Sequence, residues 1–260
     1  MTRTEQLHVG RGELEVRVDS PGVGGEDLPP LVFLHEGLGS IDLWRTFPDE
    51  VRNDVGSPAT VVYSRHGHGS SSVVDGPRRV DYMHHEADAV LPELLSRLEI
   101  ARPVLVGHSD GASIALLYAG AGHPVAGLVL VAPHVFVEDR SIAGIEAARD
   151  AFQQGDLGRR MDRYHRDAPS TFRGWNDVWL SPEFRRWDIT ELLPAIDCQV
   201  LLIQGADDQY GSLAQLDAIE RGVRGPCRRV VLPGVGHSPH LESPAATRDA
   251  VAAFIRRLDE

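Results

Sequence analysis

Six short, nearly all-apolar runs limit the folds open to this chain: LVFLH (31–35), TVVYS (60–64), PVLVGHS (103–109), GLVLVAP (127–133), QVLLIQG (199–205) and RRVVLPG (228–234). They are rich in β-branched residues and lack the alternation of a strand with one wet face. Each therefore reads as a strand buried on both faces, the mark of a parallel sheet. Segments of helical period lie between them, the clearest over 80–98, where Met83, Ala87, Val90, Leu91, Leu94, Leu95 and Leu98 recur at i, i+3 and i+4. Strands alternating with helices specify βαβ units, hence an α/β fold with a doubly wound, mostly parallel sheet and helices on both faces. At 7–19, LHVGRGELEVRVD alternates around a GRG break and predicts an N-terminal antiparallel hairpin. Ser243 followed by Pro244 predicts the start of a last helix over 243–258.

One interval breaks the alternation. Residues 135–195 contain no clear strand; SIAGIEAARDAFQQ and DLGRRMDRYHRD read as helices, and an aromatic-rich FRGWNDVWLSPEFRRWD follows. The expected organisation is a core of 1–134 and 196–260, with 135–195 inserted as a helical lid over the sheet edge where open α/β sheets bind ligands. A formal net charge of -12, from 38 acidic and 26 basic residues, repels phosphate backbones and anionic lipid surfaces. Nucleic acid and membranes are excluded as partners on that ground, leaving a small-molecule substrate; a homodimer is left open. Cys198 and Cys227 stand apart without CxxC or metal-ligand spacing and suit a reducing cytoplasm. The opening MTRTEQLHVG has no apolar h-region, and no run approaches the roughly 20 apolar residues that span a bilayer, so a soluble cytoplasmic protein is expected.

The stretch VLVGHSDGASIALLYAG places Ser109 in G-x-S-x-G between an apolar strand and an apolar helical pattern. A serine on so sharp a turn needs Gly107 and Gly111 beside it to avoid collisions, and its hydroxyl is then exposed at a helix N-terminus that favours negative charge. A serine nucleophile needs a base, and the base needs an orienting carboxylate. His237, in LPGVGHSPHLESP between the last strand and the last helix, is the candidate base; the acid lies in IQGADDQYG after the preceding strand. Both fall at C-terminal strand ends, on the same edge as Ser109, in the chain order Ser, Asp, His. No HExxH or triple-histidine spacing supports a metal, and neither GLGSIDLW nor GHGSSS matches a nucleotide fingerprint, so no metal and no cofactor is implied.

Across nearly its whole length, from LVFLHEGLGS through YSRHGHGSS and GHSDG to GADD and GHSPHLESP, the chain resembles the α/β-hydrolases of the lidded, single-domain serine esterase type. The resemblance implies Ser109 as nucleophile, His237 as general base, and Asp208, three residues after Gly205, as the acid, with Asp207 the alternative. His240 is assigned to packing near the last helix, and His35 to supporting a loop rather than to catalysis. One oxyanion donor is expected to be the backbone N–H of Asp110, the residue after the nucleophile. The other comes from the loop after LVFLH, which in many relatives reads His-Gly-x; here Glu36 holds the second position, so the donor falls on Gly37, with Leu38 as the alternative.

Glu36 departs from that pattern, because a charge beside a developing oxyanion opposes it unless paired or aimed away. Arg65 closes the neighbouring strand, and Glu36 is expected to pair with it or to cap backbone N–H groups and so fix the loop; the other reading has Glu36, with Asp110, meeting a cationic or hydroxylated substrate group. Glu36, Leu38, Trp175 and Trp179 are the expected substrate contacts, with Trp187 a further lid aromatic. Trp175 and Trp179 are four apart, so they share a helical face that equally suits packing. The expected activity is hydrolysis of a small carboxylic ester, thioester or lactone through an acyl-enzyme on Ser109. The same triad on this fold also serves carbon–carbon bond hydrolysis or perhydrolysis, and the scaffold also carries ligand receptors. The sequence offers no dedicated carboxylate-binding arginine.

Overall fold

The computed structural model describes residues 1–258. Its strands are β1 (Thr2–Val9), β2 (Gly12–Asp19), β3 (Leu31–Leu34), β4 (Thr60–Ser64), β5 (Val104–His108), β6 (Gly127–Val131), β7 (Val200–Gly205) and β8 (Cys227–Leu232). They form one sheet in the order β1-β2-β4-β3-β5-β6-β7-β8. The first two pairings, β1 with β2 and β2 with β4, are antiparallel, and all the others are parallel. This is the mostly parallel sheet expected from the apolar runs, with the N-terminal hairpin at one edge, and it is the arrangement that the α/β-hydrolase resemblance implied. Gly10 turns that hairpin with a φ of 60°, a conformation that suits glycine at the first loop position of a two-residue turn.

The helices are α1 (Phe47–Asp54), α2 (Tyr82–His85), α3 (Leu91–Arg97), α4 (Asp110–Gly120), α5 (Asp139–Gln154), α6 (Leu157–Met161), α7 (Ala168–Trp179), α8 (Ala214–Gly222), α9 (Pro239–Glu242) and α10 (Pro244–Ile255). Alternate strand residues serve two cores. Leu31, Phe33, Val104, Val106 and Val129 pack toward α1 and α10, while Val32, Leu34, Leu105, Leu128 and Leu130 pack toward α3 and α4. Each such fully buried aliphatic side chain contributes ~1.5–3 kcal/mol of hydrophobic stabilisation before entropy is counted.

Two local departures have physical causes. The helical stretch expected over 80–98 contains a π-turn, Glu86–Val90, between α2 and α3. Pro92, which lacks an N–H for the regular ladder, sits in the first turn of α3, immediately beyond it. The last strand, expected to be buried on both faces, is half-exposed along most of its length, because β8 is the sheet edge and nothing pairs beyond it. Among the described residues no helix is long and apolar enough to cross a membrane.

From β3 the chain crosses to β4 on one side and then returns to β5 on the other, so the strand order reverses at β3. Open α/β sheets bind ligands outside the carboxyl ends of the strands at such a reversal. The loop 35–39 leaves β3 there, and Ser109 follows β5 directly beside it. Between β6 and β7, helices α5, α6 and α7 form the segment that faces this edge.

Candidate active site

Ser109 sits between β5 and α4 with φ 52° and ψ -117°, a conformation that costs a non-glycine residue energy. Its N–H donates to Val131 O (2.9 Å), and its carbonyl accepts from Ala112 and Ser113 of the first turn of α4. The turn closes because glycines flank it. A Cβ on Gly111 would overlap the Leu34 and His35 carbonyls, and one on Gly107 would overlap the backbone of Gly111 and Ala112.

Side chains from two further strand ends, those of β7 and β8, converge on this turn. His237 Nε2 lies 2.9 Å from Ser109 Oγ, and His237 Nδ1 lies 2.9 Å from both carboxylate oxygens of Asp208. A carboxylate only accepts, so Nδ1 carries the proton; in the neutral ring Nε2 is then the acceptor for the Ser109 hydroxyl. Asp208 Oδ1 also accepts the backbone N–H groups of Tyr210 (2.8 Å) and Gly211 (3.2 Å), and Gln204 Nε2 donates to Oδ2 (3.3 Å). Burial alone would raise the Asp208 pKa, but the His237 and Tyr210 hydrogen bonds outweigh it and hold the carboxyl below its usual range. Asp207, by contrast, is exposed, and its N–H is tied to Val235 O.

The loop after β3 is held from behind by its carbonyls. Glu36 O accepts from Arg65 Nη2 (2.8 Å), His35 Nδ1 (2.7 Å) and Gly39 N (3.0 Å). His35 Nε2 accepts in turn from Arg65 N (3.0 Å), so its one proton is on Nδ1; burial pushes its pKa well down and keeps it neutral. Gly37 O faces His68 Nε2 and Leu38 O faces His165 Nε2, each at 3.0 Å. A peptide plane points its C=O and the next N–H in opposite directions. Pinning Glu36 O therefore aims Gly37 N–H away from Arg65, and pinning Gly37 O does the same for Leu38 N–H. A side chain on Gly37 would collide with the Trp175 indole, so only glycine lets α7 pack over the loop.

The expected ion pair of Glu36 with Arg65 needs correction, and so does the part given to the Asp110 side chain. Arg65 does meet Glu36, but at the backbone carbonyl; its charge faces Asp110, with Nη2 3.7 Å from Oδ2. The Glu36 carboxylate instead faces His108 Nδ1 at 3.5 Å, with its side chain 27% exposed. Asp110 cannot meet a substrate through its carboxylate either. It is fully buried and accepts from Tyr82 OH at 2.5 Å, which in turn accepts from Trp179 Nε1 at 3.2 Å.

A cavity of about 310 Å³ opens over Ser109 and His237. Glu36, Gly37, Leu38, Trp175 and Trp179, all singled out in the sequence, line it; Trp187 does not, being stacked on Phe184. His134, Tyr210 and Arg160 also line it and were not identified from sequence. His134 follows the end of β6, and burial, reinforced by nearby His237, pushes its pKa down to about 3. The Tyr210 ring lies tilted against the His237 ring with centroids 4.7 Å apart, and its position two residues after Asp208 was the available signal. Arg160 is an exposed arginine on α6, in a segment with no motif to mark it. His240 packs against Trp44 and Phe47 rather than reaching Ser109. A larger cavity, about 530 Å³, lies beside α7 near Arg78 and Arg173; Ser170 and Ser181 line it, with no histidine in its lining to act as their base. Among the described residues no group of three or more His, Cys, Asp or Glu side chains is placed to hold a metal ion.

Comparison with known proteins agrees with the fold. The family model described as "Alpha/beta hydrolase family" matches residues 31–250. A 2-succinyl-6-hydroxy-2,4-cyclohexadiene-1-carboxylate synthase from Enterobacter sp. (strain 638) is 26% identical over 276 residues, covering 93% of this chain and 95% of that protein. The enol-lactonase of Burkholderia xenovorans LB400 superposes with a TM-score of 0.75 at 18% identity, covering 96% of this chain and 99% of the other. A thermophilic esterase from Thermogutta terrifontis gives 0.68 at 23% identity, with both chains fully covered.

Proposed function

Because the chain belongs to the alpha/beta hydrolase family, we propose that it is a serine hydrolase acting on a small carboxylic ester, thioester or lactone. The observation that carries this reading is the unbroken hydrogen-bonded line from Asp208 through His237 to Ser109, each link at 2.9 Å, at the floor of a cavity.

Ser109 Oγ attacks the substrate carbonyl carbon as His237 Nε2 takes its proton, and the carbonyl π pair moves onto oxygen. The N–H groups of Asp110 and Gly37 receive that oxyanion, Leu38 N–H being the alternative to Gly37. Removing one such donor typically costs ~10²- to 10³-fold in rate. Collapse expels the alcohol or thiol, protonated from Nε2, and leaves the acyl group on Ser109. Water, deprotonated by Nε2, then releases the acid and restores the serine. Asp208 holds the ring in the Nδ1–H form and stabilises the imidazolium. Residues 135–195 serve as a lid whose Trp175 and Trp179 wall the acyl or alcohol site. Cytoplasmic location belongs to the same proposal, with Cys198 and Cys227 both free thiols.

The synthase relative favours a second reading, in which the same side chains act on a carboxylate-bearing substrate without ester hydrolysis. Arg160 at the cavity is the cation such a substrate would meet. Pre-steady-state kinetics with p-nitrophenyl esters of graded acyl length test the first reading: a burst of nitrophenol is expected from the wild type and none from S109A. Absence of turnover on esters, thioesters and lactones alike would transfer the site to the second reading, or to ligand binding without turnover.

A further inference from the structure

His108 is the residue before the nucleophile and is only 1% exposed, yet no step above uses it. Its Nε2 lies 2.8 Å from the backbone carbonyl of His237, an acceptor, so Nε2 carries a proton. Its Nδ1 faces Glu36 Oε2 at 3.5 Å and has no other partner among the described residues. A neutral ring with its proton on Nε2 would aim the buried Nδ1 lone pair at a carboxylate. The geometry therefore calls for a proton on Nδ1 as well, making His108 an imidazolium with Glu36 as its counter-ion.

The connections of this pair are its main feature. Glu36 belongs to the loop after β3 that carries Gly37 N–H, His108 ends β5 beside Ser109, and the His237 carbonyl belongs to the loop after β8 that carries the base. We propose that Glu36 and His108 act as one positioning unit, a charged link that holds the oxyanion loop and the base loop in register around Ser109. The inference rests on the serine hydrolase reading for its kinetic consequences, but the protonation it requires does not.

The surroundings favour the charged pair. The His108 ring is faced by His237 (centroids 5.2 Å apart), His240 (4.8 Å) and Trp44 (6.3 Å). Burial pushes His240 down to about 3 and so keeps it neutral, leaving His108 as the charged ring of that group facing Glu36. Burial disfavours the His108 cation, but the Glu36 carboxylate outweighs it and raises the pKa. Burial also disfavours the Glu36 anion, and the His108 contact outweighs that, holding the carboxyl well below its usual range. Gly39 makes room for the carboxylate, since a Cβ there would overlap Glu36 Oε2.

Two measurements test the unit. In steady-state kinetics on an activated ester, E36A is expected to lower kcat by ~10- to 10²-fold with little change in KM, the size of effect that misplaced reacting groups produce. E36Q is expected to recover most of that loss, because its amide can donate to Nδ1 of a neutral His108 that keeps Nε2–H on the His237 carbonyl. The E36A/H108A double variant is expected to be no slower than the slower single variant. A raised KM at unchanged kcat for E36A would overturn the proposal and make Glu36 a substrate contact; additive losses would also overturn it. The second measurement needs no activity. Imidazole ¹⁵N shifts at pH 7 are expected to show both His108 nitrogens protonated in the wild type and one in E36Q. A singly protonated His108 in the folded wild type would overturn the link whether or not the protein turns over an ester, whereas lack of turnover with a doubly protonated ring would count against the hydrolase reading alone.

Discussion

The two arms that reach Ser109 are built on opposite plans. In the arm from β7 and β8, side chains are the proposed reacting groups and the backbone holds them: Asp208 receives the N–H groups of Tyr210 and Gly211 and passes its orientation to His237. In the arm from β3, a backbone N–H is the proposed reacting group and side chains hold it, with Arg65, His35, His68 and His165 gripping the carbonyls of residues 36–38. A side-chain arm announces itself in a motif. A backbone arm is visible only once the residues that grip it, drawn from distant parts of the chain, are in place.

The contrast can be tested by cutting each arm at its support. On the side-chain arm, D208N is expected to lower kcat by ~10⁴-fold, because the amide favours the wrong His237 tautomer. D207N, altering an exposed carboxylate, should leave kcat unchanged. An equal loss in D207N would mean the carboxylates exchange roles in solution.

On the backbone arm, R65M removes the guanidinium from Glu36 O and takes from the buried Asp110 carboxylate its ion-pair partner. The expected result is a kcat loss of ~10²-fold through the misaimed Gly37 N–H. Stability should also fall by on the order of 3 kcal/mol in urea titrations, the cost of breaking a buried pair. H68L cuts the same loop one peptide plane later, at Gly37 O, which governs Leu38 N–H instead. If Gly37 is the donor, H68L should lower kcat much less than R65M; the reverse order would assign the oxyanion to Leu38.

The smallest expected effect on rate, and the broadest on stability, concerns the buried histidines around both arms. Burial pushes His134 and His240 down to about 3, whereas in the unfolded chain they take up protons near 6.5. The unfolded state then binds more protons between those values, so stability falls as the pH drops from about 6.5 toward 3, by ~1.4 kcal/mol per unit for each histidine. Urea midpoints at pH 7 and pH 5 measure this, and H134Q should flatten the dependence.

The same contrast explains what could be read from the sequence. The six apolar runs correspond to six strands at almost their observed limits, and for the first five the reason is that burial on both faces demands an unbroken apolar composition. Ser109, His237 and the ADD segment could be placed for a related reason: each follows the end of such a strand, and the chain order limits which ends can meet, whereas the choice of Asp208 over Asp207 came from the resemblance alone. The partner of Glu36 was legible as a residue and not as an atom. Strand adjacency pointed to Arg65, but nothing in a sequence says that a guanidinium takes a carbonyl in preference to the carboxylate of the same residue. His108 lay inside the GHSDG motif itself and was passed over, since its role depends on a carbonyl 129 positions away. The half-exposed β8 was misread because an apolar run does not reveal that it is the last in the sheet.

The central claim is a nucleophilic Ser109 activated by His237. Incubation with a fluorophosphonate followed by mass spectrometry tests it most directly. One adduct on the peptide carrying Ser109 is expected in the wild type, none in S109A, and markedly slower formation in D208N. A folded wild-type protein that acquires no adduct, or acquires it on another residue, would contradict the account.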